Sequence, residues 1–375
     1  MFEHQDILEK LNHNRPLSSK LQVIHETLQL YFPFVHRVAI AIYDRDTDIL
    51  SSYTHSSDGM NPISNYEAKL NETHGLKQIL DMGRPRLITN LEDLSTLPKE
   101  HTSKLIGSGF RSSYTMPLYH NGDFLGFLFF NSRETSAFSE NHLQMLDIFG
   151  HLIALTIINE IATIKTLTST VDAVRQMASH RDLETGSHIN RTAHYARLIA
   201  KNVADEYQLN DEFIEHVFLF SPLHDIGKIA IPDKVLLKQG ALDSQERTIM
   251  NTHAQKGREI IDEILSSFEF SGQKFADTLR NIAQYHHETM DGMGYPYGLQ
   301  GEKIPVEARI MAVADIFDAL TSARPYKKAW SVDSAFVKLL EMSEHKLDRE
   351  CVTALIKNRR QVEEIMNRFA EEKYS

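Results

Sequence analysis

The sequence predicts a two-domain protein, in which a mixed α+β domain is joined by a long helix to an all-helical domain. At 375 residues the chain exceeds what one ordinary hydrophobic core organises. Segments with strand character are spread over residues 36–130, whereas helical periodicity dominates after about residue 178. Between these parts, residues 141–177 contain no proline and one glycine, Gly150, so a single continuous helix is expected.

Composition limits the possible chemistry. The hydrophobic share of 42% and charged share of 24% are typical of a folded soluble protein. Cys351 is the only cysteine, which excludes an intramolecular disulfide and a thiolate zinc cluster. A bound metal would therefore have nitrogen and oxygen ligands, which favours iron or manganese over structural zinc.

The net charge of −11 argues against a general nucleic-acid-binding protein. It does not exclude a small phosphate-bearing substrate, because bound cations can reverse the local field. No signal-like apolar segment and no run of about 18 apolar residues is apparent. We therefore expect a cytoplasmic protein without membrane association.

The first domain is expected at residues 17–140, after an N-terminal extension of residues 1–16. Asn121-Gly122 is a strong signal for a hairpin turn, and a helix should begin near Asn141. Residues 61–73 are weakly patterned and are predicted as a loop over a pocket. Helices are predicted at 21–32 and 75–82, and strands at 36–43, 49–55, 86–89, 112–119 and 123–130.

Three segments carry a family resemblance: Met116-Pro-Leu-Tyr119, Gly126-Phe-Leu-Phe-Phe130 and Phe138-Ser-Glu-x-x-Leu143. With the order of elements, they resemble a GAF domain over about residues 17–160. The resemblance implies an α+β GAF-like sensor with an antiparallel sheet flanked by helices. Asn131 is followed by Ser132, and no Asp-Glu follows Phe138, so the signature of cyclic-nucleotide-binding GAF domains is incomplete. An unknown GAF ligand and a ligand-free dimerising scaffold both remain open.

The linker helix, residues 141–177, contains an apolar stripe with alternating spacings of three and four. The stripe consists of Leu146, Gly150, Ile153, Ile157, Glu160, Ile164, Leu167, Val171, Val174 and Ala178. We interpret it as a coiled-coil seam, which predicts a parallel homodimer. The alternative is one amphipathic helix packed on its own domain.

The candidate metal-binding residues lie in the second half of the chain, and the strongest signal among them is His286-His287-Glu288. Neighbouring helical residues point about 100° apart, so two adjacent histidines cannot both enter a core from one helix face. At a helix end, however, both can reach a metal cluster beside it. The following Asp291-Gly-Met-Gly-Tyr-Pro296 breaks the helix and presents backbone to a ligand.

His224-Asp225 follows the apolar run 217–223 and should lie inside the fold, where unpaired polar groups would cost several kcal/mol. An aspartate beside a histidine can bridge two metals. Lys228 lies one turn further on and could neutralise charge on a metal-bound phosphate or donate a proton. Its alternative role is an ordinary surface charge.

The remaining candidates are individually ambiguous. Glu184 and His188 are four residues apart and share a helix face, which is also common for solvated pairs. His253 alone would be an ordinary helix histidine. Asp315 lies in the apolar segment 309–317, where an unpaired carboxylate would be costly. Together these groups predict a multinuclear metal site, because histidine is the commonest metal ligand.

These residues belong to longer motifs that resemble the HD-GYP family of phosphodiesterases over about residues 172–345. The resemblance identifies residues 178–375 as an all-α HD-type catalytic domain. The motifs are Glu184-Thr-Gly-Ser-His188, Leu223-His-Asp-Ile-Gly-Lys-Ile-Ala-Ile-Pro232, His286-His-Glu-x-x-Asp-Gly-x-Gly-Tyr-Pro296, Gly298-Leu-x-Gly301, Ile304-Pro-x-x-Ala-Arg-Ile310 and Asp315-x-Phe-Asp-Ala-Leu-Thr-Ser-x-Arg324-Pro-Tyr-Lys327.

The resemblance implies hydrolysis of cyclic di-GMP to pGpG, with or without a second cleavage to GMP. It implies two or three divalent metals, and Glu184 places the chain with the trinuclear subclass. Asp225 and Lys228 would be catalytic, and Lys228, Tyr295, Arg324 and Lys327 would contact the substrate. The implied metal ligands are Glu184, His188, His224, Asp225, His253, His286, His287 and Asp315.

Two other functions remain open at this stage. One is a non-catalytic cyclic di-GMP receptor that acts through protein partners. The other is a hydrolase of a different cyclic dinucleotide, such as cyclic GMP-AMP, because the residues that read the bases cannot be identified from the sequence.

Overall fold

A computed structural model describes residues 6–13, 15–59, 63, 66–94, 100–178, 186–268, 270, 272–273, 275–322 and 329–370. The chain divides into two compact units. The first comprises Met1–Thr163 with Asn210–Glu212, and the second comprises Ile164–Leu209 with Phe213–Ser375.

The first unit contains a six-stranded antiparallel sheet. Its strands are β1 Arg37–Asp44, β2 Ile49–Ser57, β3 Glu67–Lys69, β4 Arg86–Ile88, β5 Ser112–His120 and β6 Asp123–Ser132. Their order in the sheet is β3-β2-β1-β6-β5-β4. Its helices are α1 Leu17–Tyr31, α2 His74–Met82 and α3 Glu100–Gly107, followed by α4 Glu140–Ala178. The antiparallel α+β architecture confirms the predicted fold class, and β5 and β6 pair across the predicted Asn121-Gly122 turn.

Two details of this unit differ from the prediction. β3 lies within the segment predicted as a loop, residues 61–73, and pairs with β2. With three residues it is too short to show an alternating pattern, so its conformation depends on its partner strand. Helix α3 was not predicted.

Both faces of the sheet carry buried apolar side chains. Successive strand residues point to opposite sides, so one strand can contribute to a core on each face. Val38 and Ile40 face one core, which includes Leu21 of α1 and Ile153 of α4. The second core lies on the other face, where Ala41, Leu50, Phe127 and Phe129 pack with Leu76 and Ile79 of α2.

Helix α4 is continuous, but its predicted coiled-coil seam is buried within the chain. Leu146, Ile153 and Ile157 are at most 1% exposed and belong to the core of the first unit. Ile164 and Leu167 belong to a core of the second unit. At Gly150 a Cβ would lie 2.4 Å from the Met116 sulfur, so strand β5 occupies this face. The coiled-coil interpretation of this stripe is therefore wrong for residues 146–167, because the same spacing serves packing within each unit.

Glu140–Thr170 is long and apolar enough to cross a membrane by length and composition, with a mean hydropathy of 1.5. Polar residues such as Thr156, Asn159 and Glu160 interrupt this segment, so it is not an uninterrupted apolar run. Within its most apolar window, 39% is buried inside the protein. Core helices of soluble proteins pass the same test, so the segment alone does not indicate a membrane protein.

The second unit is helical in its described part, as predicted. Its helices are α5 Gly186–Asn202, α6 Ala204–Tyr207, α7 Asp211–Phe220, α8 Asp233–Leu236, α9 Ser244–Asn251, α10 His253–Ser267, α11 Phe275–Tyr285, α12 Val306–Thr321, α13 Val332–Met342, α14 Arg349–Lys357 and α15 Arg359–Arg368. One core joins α5, α12, α13 and α14, and another joins α10, α11 and the 3-10 turn Ser221–Leu223.

Candidate metal centre

Helix ends and turns bring the candidate ligands together. His188 lies on α5 and Asp315 on α12, while His253 is the first residue of α10. His224 and Asp225 lie between two 3-10 turns, Ser221–Leu223 and Ile226–Ala230. His286 and His287 follow the last residue of α11. The structure thus assembles every predicted ligand except Glu184, which lies outside the described residues.

The ligand atoms form two groups, and within each group they lie within 4.8 Å of one another. The first group contains Asp225, His253, His286 and His287. The second contains His188, His224 and Asp315. His286 and His287 therefore reach the same group from one helix end, as the adjacent-histidine argument predicts.

Asp225 connects the two groups through its two oxygens. Oδ1 lies 3.1 Å from His253 Nε2 and 3.6 Å from His286 Nε2. Oδ2 lies 3.2 Å from His224 Nε2, which belongs to the second group. Asp315 Oδ1 lies 3.9 Å from His188 Nε2 and 4.0 Å from His224 Nε2. A carboxylate shared in this way has the geometry of a bridging ligand.

Hydrogen bonds at Nδ1 orient the imidazoles. His224 donates from Nδ1 to the Ser221 carbonyl at 2.7 Å, and His253 to the Met250 carbonyl at 2.8 Å. His286 Nδ1 lies 2.9 Å from the Ile282 carbonyl oxygen. A carbonyl can only accept, so Nδ1 carries the proton and Nε2 presents its lone pair. Each Nε2 atom is thus set up to bind a cation.

The buried polar atoms fit a metal. Asp225 Oδ1, His253 Nε2 and His286 Nε2 are buried without a hydrogen-bond partner among the described residues. Burial lowers the pKa of His286 and, more strongly, of His287, which keeps both imidazoles neutral. Burial tends to raise the pKa of Asp225, but Lys228 and His224 outweigh it and hold the pKa well below its usual value. Neutral imidazoles and ionised carboxylates are suitable ligands for a divalent ion.

The loop after His287 is packed against this centre. The ring centroid of Tyr295 lies 4.7 Å from that of His287. Buried Glu288 accepts hydrogen bonds from the backbone N–H groups of Tyr297 at 2.8 Å and Leu299 at 2.9 Å. A Cβ on Gly294 would lie 2.5 Å from the His287 carbonyl oxygen. Sequence reasoning gave Glu288 no role, although a charged residue inside a motif is a signal for such a backbone acceptor.

The predicted substrate contacts are placed in part. Lys228 Nζ lies 2.8 Å from Asp225 Oδ2, and its side chain is 21% exposed. Tyr295 lies beside the first group of ligands. Arg324 and Lys327 lie outside the described residues.

Comparison with protein-family models identifies a domain in each part of the chain. Residues 172–351 match the family model of the HD domain, and residues 17–157 match that of the GAF domain.

Curated relatives resemble this chain over somewhat more than half of its length. The chain is 42% identical over 201 residues to the cyclic di-GMP phosphodiesterase response regulator RpfG of Xanthomonas campestris pv. campestris (strain 8004), covering 54% of this chain and 50% of the relative. It is 40% identical to a cyclic di-GMP phosphodiesterase of Vibrio cholerae, covering 53% and 40%. It is 34% identical to the 3′3′-cGAMP-specific phosphodiesterase 2 of the same organism, covering 59% and 41%.

The chain therefore spans half or less of the length of these relatives. Together with the observed folds of the two units, the comparisons show that the chain contains a GAF domain followed by an HD domain, and that it is similar to curated cyclic dinucleotide phosphodiesterases.

Proposed function

We propose that this protein is a metal-dependent phosphodiesterase that hydrolyses cyclic di-GMP to pGpG, with GMP as the product of a second cleavage. The observation that carries the proposal is the pair of ligand groups connected by the two oxygens of Asp225. The relatives RpfG and the Vibrio cholerae enzyme are both named as cyclic di-GMP phosphodiesterases, which supports the choice of substrate.

Two divalent ions, iron or manganese, would be held by the two groups, and Glu184 is the candidate ligand for a third. When bound, such ions polarise a phosphodiester and lower the pKa of a water molecule that attacks phosphorus. Neutral histidines favour these metals over calcium or magnesium, which prefer oxygen ligands.

The protein's own side chains would hold the substrate and move charge. Lys228 lies beside Asp225 and is partly exposed, so its ammonium can reach a phosphate oxygen or the departing 3′ oxygen. Burial raises the pKa of Tyr295, so its phenol stays protonated and can donate a hydrogen bond. Arg324 and Lys327 are the proposed phosphate contacts, since the forked donors of arginine suit phosphate.

A second candidate substrate is cyclic GMP-AMP. A relative that is 34% identical over 223 residues of this chain is named as specific for 3′3′-cGAMP. A non-catalytic receptor is the third possibility, but a receptor has no need for two assembled groups of metal ligands.

The test is anaerobic incubation of the purified protein with cyclic di-GMP, with and without added manganese or iron(II), and chromatography of the products. We expect pGpG or GMP only in the metal-loaded samples, and chelation should remove the activity. Parallel and competing reactions with 3′3′-cGAMP measure the preference. Full metal occupancy with bound substrate and no product would support a receptor, and faster cleavage of cGAMP would support the second substrate.

We also propose that the protein is a homodimer that pairs through the exposed face of the linker helix, residues 141–177. Ile148 is 62% exposed and Leu155 is 66% exposed on this helix. With Met145, Leu152, Asn159 and Ala162 they recur at alternating spacings of three and four, on a face other than the buried stripe. Two copies of one helix can interdigitate such a stripe, and an asparagine in it favours a two-stranded pairing.

Replacing Leu155 with glutamate should convert the dimer to a monomer, because like charges would meet in an apolar contact. Sedimentation equilibrium measures the change, and Gln78→Glu on exposed α2 is the control for an added negative charge. A variant as dimeric as the unaltered protein would exclude this face. If the GAF domain binds a ligand, we propose that its effect is transmitted to the HD domain through this linker helix.

A cytoplasmic location follows from the proposed substrate. A cyclic dinucleotide carries two phosphate charges and cannot cross a bilayer unaided, because desolvating ions is costly. We propose neither a nucleic-acid nor a membrane partner.

A further inference from the structure

His188 is held differently from three other histidines of the centre. Nδ1 of His224, His253 and His286 faces a backbone carbonyl, whereas Nδ1 of His188 lies 2.7 Å from a carboxylate oxygen of Asp318. We infer that Asp318 is a positioning residue that strengthens metal binding at the His188 position. The inference rests on the proposed metal centre and assigns a role to a residue outside the ligand set.

The carboxylate of Asp318 is fully buried and saturated with donors. Arg191 donates to both oxygens, from Nε to Oδ1 at 2.6 Å and from Nη2 to Oδ2 at 3.0 Å. Ser322 donates to Oδ2 at 2.9 Å, and this is the oxygen that faces His188. Asp318 is 0% exposed. Its direction is therefore fixed by α5 and by its own helix, α12.

The charge of this acceptor matters to a metal ligand. Arg191 donates to both oxygens of Asp318 within a buried ion pair, which favours the ionised carboxylate. An anionic acceptor at Nδ1 fixes the tautomer and makes the opposite nitrogen a better electron donor than a neutral carbonyl does. His188 Nε2 is the atom that faces Asp315, at 3.9 Å. The effect of Asp318 therefore reaches the group of His188, His224 and Asp315.

Arg191 connects this arrangement to the end of the helical domain. Its Nη1 donates to the Phe369 carbonyl at 2.9 Å, and Nη2 also donates to Ser322 at 2.8 Å. The guanidinium thus holds Asp318 in place while contacting the ends of α12 and α15. Arg191 balances the negative charge of Asp318. Oδ2 of Asp318 nevertheless accepts a hydrogen bond directly from His188 Nδ1.

The same unit offers a matched control. Asp348 is also buried, at 3% exposure, and is paired with an arginine, since Arg309 Nη1 lies 2.6 Å from its Oδ2. Its carboxylate also accepts from the Tyr207 hydroxyl, at 2.8 Å from Oδ2, and no candidate metal ligand contacts it among the described residues. Asp318→Asn and Asp348→Asn therefore remove the same charge from a similar buried ion pair, but only the first touches the centre.

The experiment compares metal binding by the unaltered protein, Asp318→Asn and Asp348→Asn. Metal-free protein is titrated with manganese by calorimetry, and bound metal is counted by mass spectrometry. For Asp318→Asn we expect one class of sites to weaken about 10- to 100-fold while the other is retained. Asp348→Asn should keep the unaltered metal affinities, even if its thermal midpoint falls.

The outcomes separate the two proposals. If the unaltered protein binds no metal, the proposed function fails. If it binds metal and Asp318→Asn retains every affinity, or weakens all sites equally, the role of Asp318 is overturned. Should Asp318→Asn not fold, Ser322→Ala decides: it removes a competing donor from Oδ2, so affinity should hold or rise. A fall would show that the arrangement acts only by supporting α12.

Discussion

Asp225→Ala is expected to abolish hydrolysis of cyclic di-GMP, with a loss of turnover on the order of 10³-fold or more. The reason is that its two oxygens serve both ligand groups, at 3.1 Å from His253 Nε2 and 3.2 Å from His224 Nε2. Lys228 also loses the carboxylate that its ammonium contacts at 2.8 Å. One substitution thus weakens both metal positions and misplaces a catalytic cation.

The measurement is product formation at saturating manganese, together with the metal count per protein. Circular dichroism shows whether the helical fold is kept. Asp277→Ala removes an exposed carboxylate of the same unit, one that forms a surface ion pair with Arg280, and should leave turnover unchanged. An Asp225→Ala protein that hydrolyses the substrate at the unaltered rate would exclude the bridging role.

Gly227→Ala is expected to destabilise the helical unit by about 3 kcal/mol or more. A Cβ at this position would lie 1.9 Å from the His253 carbonyl oxygen and 2.4 Å from the Gly257 nitrogen. Both are backbone atoms of the first turns of α10, so no side-chain rotation can relieve the clash. The helix would have to move, and it carries His253 away from Asp225.

The measurement is urea denaturation followed by circular dichroism, with manganese affinity as a second readout. Gly186→Ala is the control, because a Cβ at the start of α5 meets no atom within 4 Å. That variant should be neutral or slightly more stable, since alanine restricts the unfolded chain. Equal stability of Gly227→Ala and Gly186→Ala would show that α10 adjusts without cost, contrary to the close packing seen here.

Much of the candidate centre could be predicted from the sequence because its signals are local. Adjacent His286 and His287 at a helix end, and His224-Asp225 after an apolar run, are recognisable by spacing and by the cost of burying polar groups. The hairpin at Asn121-Gly122 is similarly local. Such signals depend on backbone geometry within a few residues, which the sequence specifies directly.

Other features depend on which segments meet in space. The spacing of the α4 stripe is the same for a coiled coil and for packing on a domain, and only burial of Leu146, Ile153 and Ile157 in their own core distinguishes them. The three-residue strand β3 exists because β2 supplies its hydrogen-bond partners.

Tertiary structure likewise decided which residues orient the metal ligands. Asp318 looks like one more residue of a helical motif, and Arg191 like a surface charge. They meet His188 because α5 packs against α12, which places an anion behind this ligand, whereas neutral carbonyls lie behind His224, His253 and His286. The sequence by itself determined which residues can bind a metal. Only the packing of the helices decided how those residues are grouped and oriented, because that depends on contacts between segments distant in the sequence, such as His188 and Asp318, which are 130 positions apart.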